Sequence, residues 1–274
     1  MIPIILAPRR PKPLAVISTF ACISFISLLA GPRAEAVTTL TAPGTTGDPF
    51  LDPAVTGSSV SSSVWNELSQ STLSGYGTYP GATAWPAPIS PQSGDATPEF
   101  DKVSGNAYPA SSSIYLGGFS STPNADGASF AISESSPVSG LQTLVFQIQI
   151  GEAFGYDFKD GIEPVLSYTT ASGTVTGLAA DFSVVYDAFQ NGEMSGEPVY
   201  VNTYALQWDL SGVSEAISGF SITFDGVQHA TLYGMRLDQG SDAANSLLPV
   251  TVPEPAAALL SGLGMLAWLR RRRI

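Results

Sequence analysis

Leu144, Phe146, Ile148 and Ile150 alternate with Val145, Gln147 and Gln149, a period of two that makes one apolar face on a β-strand and none on a helix. The pattern predicts a half-buried strand. Similar short runs recur at Ser113 to Leu116, Ala128 to Ile132, Val165 to Thr169, Phe182 to Tyr186, Val199 to Trp208, Ile217 to Phe224 and Ala230 to Leu237. Turn-forming residues separate them: Asn124-Ala125-Asp126-Gly127, Ala171-Ser172-Gly173, Gln190-Asn191-Gly192 and Asp225-Gly226. No convincing amphipathic helix interrupts the series. The expected fold is all-β, an antiparallel β-sandwich of jelly-roll type.

Phe220, Ile222 and Phe224 line one face of a strand, and Thr231, Tyr233, Met235 and Leu237 one face of the next. With a loop around Gly226 they read as a closing hairpin of the core. The first half of the chain is less regular. Val37 to Gly57 reads as an extended lead-in, and Ser58 to Val64 starts a strand or a short helix through Trp65 and Leu68. From Ser69 to Ser111, Pro80, Pro86, Pro88, Pro91 and Pro98 forbid long helices, so this region reads as an ordered loop. The organisation expected is residues 37–111 as a Gly/Pro-rich part of one exported domain, 112–240 as the main sandwich, and 241–252 as a linker.

The linker leads into the most specific segment of the chain. Pro253-Glu254-Pro255 resists helix, because proline lacks a backbone donor and restricts its neighbour, so it is expected to be extended and accessible. Ala256 to Leu269 follows as 14 apolar or small residues, then Arg270, Arg271, Arg272 and Arg273. As a helix those 14 residues span only about 21 Å against a hydrocarbon core of about 30 Å. This is a short membrane helix, with the arginines as its stop and orientation signal. The N-terminus carries a matching signal: Arg9, Arg10 and Lys12, an apolar stretch from Leu14 to Ala30, and Ala34-Glu35-Ala36 as a small-x-small site. Residues 1–36 read as a signal peptide cut after Ala36 by the general secretion machinery, an uncleaved helix being the competing reading. Positive flanks on both segments place the chain ends in the cytoplasm and the middle across the membrane.

Val252-Pro253-Glu254-Pro255, a short hydrophobic helix and a terminal arginine cluster, in that order at the chain terminus, with the sorting signal itself at residues 253–274, resemble the PEP-CTERM sorting domain of Gram-negative bacteria. The resemblance implies an exosortase-type sorting protease as partner, acting near Pro-Glu-Pro, and a setting of exopolysaccharide production. It implies nothing about the exported domain itself.

Composition narrows what that domain can do. Cys22, the one cysteine, lies inside the signal peptide, so disulfides, thiolate metal sites and cysteine nucleophiles are excluded from the mature chain. Between Val37 and Val252 stand 21 acidic residues against Lys102, Lys159 and Arg236, a net of −18. Nucleic acid is excluded as a partner, since phosphate binding needs clustered Lys and Arg. Excess negative charge keeps such a domain soluble. His229 is the only histidine; Ser221, Thr231 and Asp225 are near in sequence, but no nucleophile motif accompanies them, and a structural role is expected.

Two candidate sites remain. Asp157, Asp160 and Glu163 form the densest acidic stretch and could hold Ca2+, although the spacing departs from an EF-hand loop. Trp65, Tyr76, Tyr79, Trp85 and Tyr108 could stack on sugar rings, with Trp65 and Trp85 the foremost candidates, or be packed beneath the proline-rich loop. The expectation is an exported, C-terminally sorted envelope or matrix protein, not an enzyme, without a required cofactor, associated with exopolysaccharide. A carbohydrate-binding module with an aromatic or calcium-supported site, and a glycan hydrolase using carboxylates, are the alternatives.

Overall fold

The computed structural model describes residues 49–53 and 55–243. The expected signal segment with Ala34 and Ala36, the Pro253-Glu254-Pro255 motif, the apolar C-terminal run and Arg270 to Arg273 lie outside the described residues. Within them no helix is long and apolar enough to cross a membrane.

Among the described residues thirteen strands form in chain order: β1 Val60–Trp65, β2 Ser93–Gly94, β3 Glu99–Gly105, β4 Ala107–Pro109, β5 Ile114–Leu116, β6 Asp126–Glu134, β7 Thr143–Gly151, β8 Val165–Thr170, β9 Gly173–Leu178, β10 Phe182–Met194, β11 Glu197–Asp209, β12 Gly219–Val227 and β13 Thr231–Gly240. They build two antiparallel sheets. One runs β10-β11-β7-β13-β1-β2, with β5 also on β13 and β4 on β5; the other runs β3-β6-β12-β8-β9. Their inner faces share one core, in which Leu144, Phe146, Ile148 and Ile150 of β7 meet Phe220, Ile222 and Phe224 of β12. Phe146 and Phe224 touch across the gap, ring centroids 6.2 Å apart. The expected antiparallel β-sandwich is therefore present.

Four local expectations are corrected. First, β7 is buried on both faces, not one. Its outer side is covered from far along the chain: Leu51 N–H donates to Gln147 Oε1 at 2.9 Å, Gln147 Nε2 donates to Leu51 O at 2.8 Å, and Tyr186 Oη donates to Gln147 Oε1 at 2.9 Å. Val55, Phe182, Val184 and Tyr186 pack on Val145 and Ala205 beside this amide. Buried glutamines are tolerated there because their groups are paired.

Second, Ser69 to Ser111 is not a loop throughout. β2, β3 and β4 lie within it, and β3 pairs with β6. Third, β12 and β13 are not a hairpin. They belong to opposite sheets, so the connection at Gln228 to Ala230 crosses between layers. The register of β13 also shifts between Leu232 and Gly234, which is why Leu232, and not Thr231 or Tyr233, joins Met235 and Leu237 in the core. Gly226 stays inside β12, where a Cβ would sit 2.3 Å from Leu116 Cδ2. Fourth, Gln190-Asn191-Gly192 does not turn. A bulge between Gln190 and Glu193 carries β10 onward, and the chain reverses at Ser195 and Gly196, both at positive φ.

The first residues of the expected linker are tied to the sandwich. Ser241 N–H donates to Ser59 O at 3.1 Å and Asp242 N–H to Thr56 O at 3.1 Å.

Candidate functional site

His229 sits in the crossover between the sheets at φ 74°, with its backbone N–H donated to Leu116 O at 2.8 Å. Its side chain is held by neighbours of defined polarity. Gln228 Oε1 accepts from Ser120 N–H at 2.9 Å and Gln228 Nε2 donates to Ser120 O at 2.9 Å, so the amide NH2 is the group 2.9 Å from His229 Nε2. That nitrogen must therefore accept. The ring proton then lies on Nδ1, 2.6 Å from Tyr115 Oη. Both ring nitrogens are occupied, and neither contacts Ser221, Thr231 or Asp225.

The acidic stretch is dispersed by its own loop. Asp157 turns inward, where its Oδ2 accepts from Tyr204 Oη at 2.6 Å and Asn202 Nδ2 at 2.9 Å, while its Oδ1 is buried with no partner. Burial raises the Asp157 pKa above the ordinary aspartate value, against the lowering effect of those two donors. Burial also pushes the Tyr204 phenol far up, reinforced by the adjoining carboxylate. Asp160 turns outward at φ 57°. One oxygen accepts from Lys159 Nζ at 2.9 Å and the other from Asn124 Nδ2 at 2.9 Å. Glu163 is exposed. The structure does not gather the three, and among the described residues no three His, Cys, Asp or Glu side chains are grouped to hold a metal ion.

Trp65 and Trp85 are core residues, 0% and 8% exposed. Trp65 Nε1 donates to Ile89 O at 2.9 Å and Trp85 Nε1 to Ala107 O at 3.3 Å. Trp85 packs edge-on to Tyr76 and Phe100, with centroids 5.6 and 5.4 Å away. Neither indole offers a face to a sugar, because the proline-rich segment is fastened down over them. The fastener is Lys102, whose buried Nζ donates to Gly81 O at 2.7 Å, Thr83 O at 2.6 Å and Ala107 O at 3.3 Å.

Four other aromatic residues of the first half, with His229, do come together at the surface. Phe119 meets Tyr79 at 5.6 Å, Tyr79 meets Tyr108 at 6.2 Å, Tyr108 meets Tyr115 at 5.8 Å, and Tyr115 meets His229 at 6.0 Å, all as centroid distances. Phe119 is 78% and Tyr79 55% exposed; Tyr108, Tyr115 and His229 are half-buried. The two loops carrying the exposed rings touch backbone to backbone. A Cβ on Gly117 would lie 2.1 Å from Pro80 O, so only glycine permits this approach. Tyr79 Oη donates to Gly118 O at 3.3 Å, and the Gln228 amide clamps Ser120 from the other side.

Tyr79 and Tyr108 belong to the aromatic set noted from sequence. Phe119, Tyr115 and Gln228 do not, although Gly117-Gly118-Phe119, a large apolar ring after two glycines with no alternating pattern around it, was a visible signal.

No curated protein and no solved structure matches the chain. Its terminal segment does match a known family: residues 251–273 match the PEP-CTERM protein-sorting motif, which implies export, membrane-associated sorting through the C-terminus and recognition by an exosortase-type sorting protein.

Proposed function

We propose that the exported domain is a non-enzymatic component of the cell envelope or extracellular matrix, in contact with exopolysaccharide. The observation that carries the non-enzymatic part is the trapped histidine. The only imidazole of the chain has its acceptor nitrogen filled by Gln228 and its proton directed at Tyr115, so it has no free lone pair to serve as a general base. The strand orders support a jelly-roll reading: leaving aside β2 to β5 and β10, the sheets run β1-β13-β7-β11 and β6-β12-β8-β9, the arrangement of a sandwich of two Greek keys.

The sorting part proceeds, in this reading, by removal of residues 1–36, membrane retention through the C-terminal apolar run, and cleavage near Pro253-Glu254-Pro255. Intact-mass spectrometry of the native protein tests it. A mature N-terminus at Val37 and a C-terminus near Pro253 are expected. Retention of Arg270 to Arg273 in cells with an active sorting enzyme contradicts it. Incubation with polysaccharides should release no new reducing ends, and the mature protein should co-fractionate with the cells' own polysaccharide.

A further inference from the structure

We infer that the chain of rings Phe119, Tyr79, Tyr108, Tyr115 and His229 is a binding surface for an uncharged glycan. The inference rests on the exopolysaccharide contact proposed above and assigns its site and the chemical class of its ligand.

Charge selects the class. The exported domain carries a net of −18, yet its three segments Leu68 to Gly94, Val103 to Ala125 and Gly226 to Met235 contain no Asp, Glu, Lys or Arg. The five rings named come from these three segments; Phe154, 6.2 Å from His229, lies outside them and packs against the core. An anionic polysaccharide is repelled by the rest of the domain, as are an anionic lipid surface and a second copy of this chain. A neutral glycan meets no such repulsion. Its C–H faces pack on aromatic π-faces, and its hydroxyls meet the phenols of Tyr79, Tyr108 and Tyr115.

Rigidity supplies the second argument. An aromatic side chain as exposed as Phe119 contributes little to the core, yet its loop is held by the paired Gln228 amide and by the Gly117–Pro80 approach. A ring on a backbone held in this way requires little further ordering of its loop when a ligand covers it, which is what a stacking platform needs.

Affinity electrophoresis of the purified full-length chain tests this, in gels containing hydroxyethyl cellulose as neutral polymer or alginate as acidic polymer. The neutral polymer should retard the wild type and alginate should not. Phe119→Ala and Tyr79→Ala should each weaken the retardation by about tenfold, Phe119→Ala while melting at the wild-type temperature. Equal retardation of wild type and both variants overturns the site but leaves the exopolysaccharide contact standing. Equal or stronger retardation by alginate overturns the uncharged class. No retardation by either polymer overturns the site and the contact together. Binding to anionic vesicles, or self-association, that is abolished in Phe119→Ala would show that the surface serves a different occupant.

Discussion

Trp85 and Phe119 are both large aromatic residues in uncharged, glycine-rich stretches, and the fold treats them in opposite ways. Trp85 is 8% exposed, wedged against Tyr76 and Phe100 under a segment that Lys102 holds shut. Phe119 is 78% exposed, on a loop held just as firmly. The difference lies in which side of the fixed backbone each ring faces. Around Trp85, carbonyls converge on a buried ammonium and the ring fills the core. Around Phe119, the amide of Gln228 pairs the backbone N–H and C=O of Ser120, and Gly117 packs against Pro80, which leaves the ring outside. One region uses aromatic area for stability, while the other spends order on a ring that stability does not require.

This contrast is sharpest at its most stabilising end. Trp85→Ala should cost about 3–5 kcal/mol in urea unfolding, the loss for a buried aromatic cut back to a methyl. Lys102→Met should cost about 2 kcal/mol by the same measurement, because the carbonyls of Gly81, Thr83 and Ala107 lose a common donor in a buried place. A smaller loss from either variant would mean that the proline-rich segment is not the fastened lid described here.

An intermediate effect is expected at Asp157, which is buried without a full set of partners. A carboxyl whose pKa is raised in the fold binds its proton more tightly there than in the unfolded chain. Its contribution is therefore most favourable at low pH and is lost as pH rises from the unfolded value, near 3.9, through the folded one. Asp157→Asn removes that charge, and should raise stability at pH 7 by about 1 kcal/mol while flattening the pH dependence above pH 4. A steeper dependence, or lower stability at pH 7, would show that the carboxylate is better accommodated than its unpartnered Oδ1 implies.

The smallest effects belong to the exposed region. Phe119→Ala should leave unfolding within about 0.5 kcal/mol of wild type, as for surface substitutions. A calcium chelator should leave the melting temperature unchanged, since Asp157 and Asp160 face different partners.

Much of the sandwich was legible because alternation reports burial on one face, and the strands from β5 through β8 and β10 through β13 were found on that signal. It fails where burial does not alternate. β9, Gly173-Thr174-Val175-Thr176-Gly177-Leu178, is solvent-facing along nearly its whole length and carries no pattern. β7 reads as half-buried because its cover, Leu51 and Tyr186, comes from elsewhere in the chain. β3 hides because it buries Lys102, a residue that sequence reasoning places outside. The surface strip was legible only in part for a related reason. Tyr79 and Tyr108 stand out by composition, but whether a ring ends inside like Trp85 or outside like Phe119 depends on which loops meet. Gly117 against Pro80 is a contact between residues far apart in sequence.

Hydroxyl-radical footprinting of the purified chain, with and without hydroxyethyl cellulose, tests the division between structural and ligand-facing rings most directly. Protection of Phe119 and Tyr79 on adding the glycan, with Trp65 and Trp85 unreactive in both states, is the predicted result. Protection confined to other residues, or reactive tryptophans in the folded protein, would contradict it.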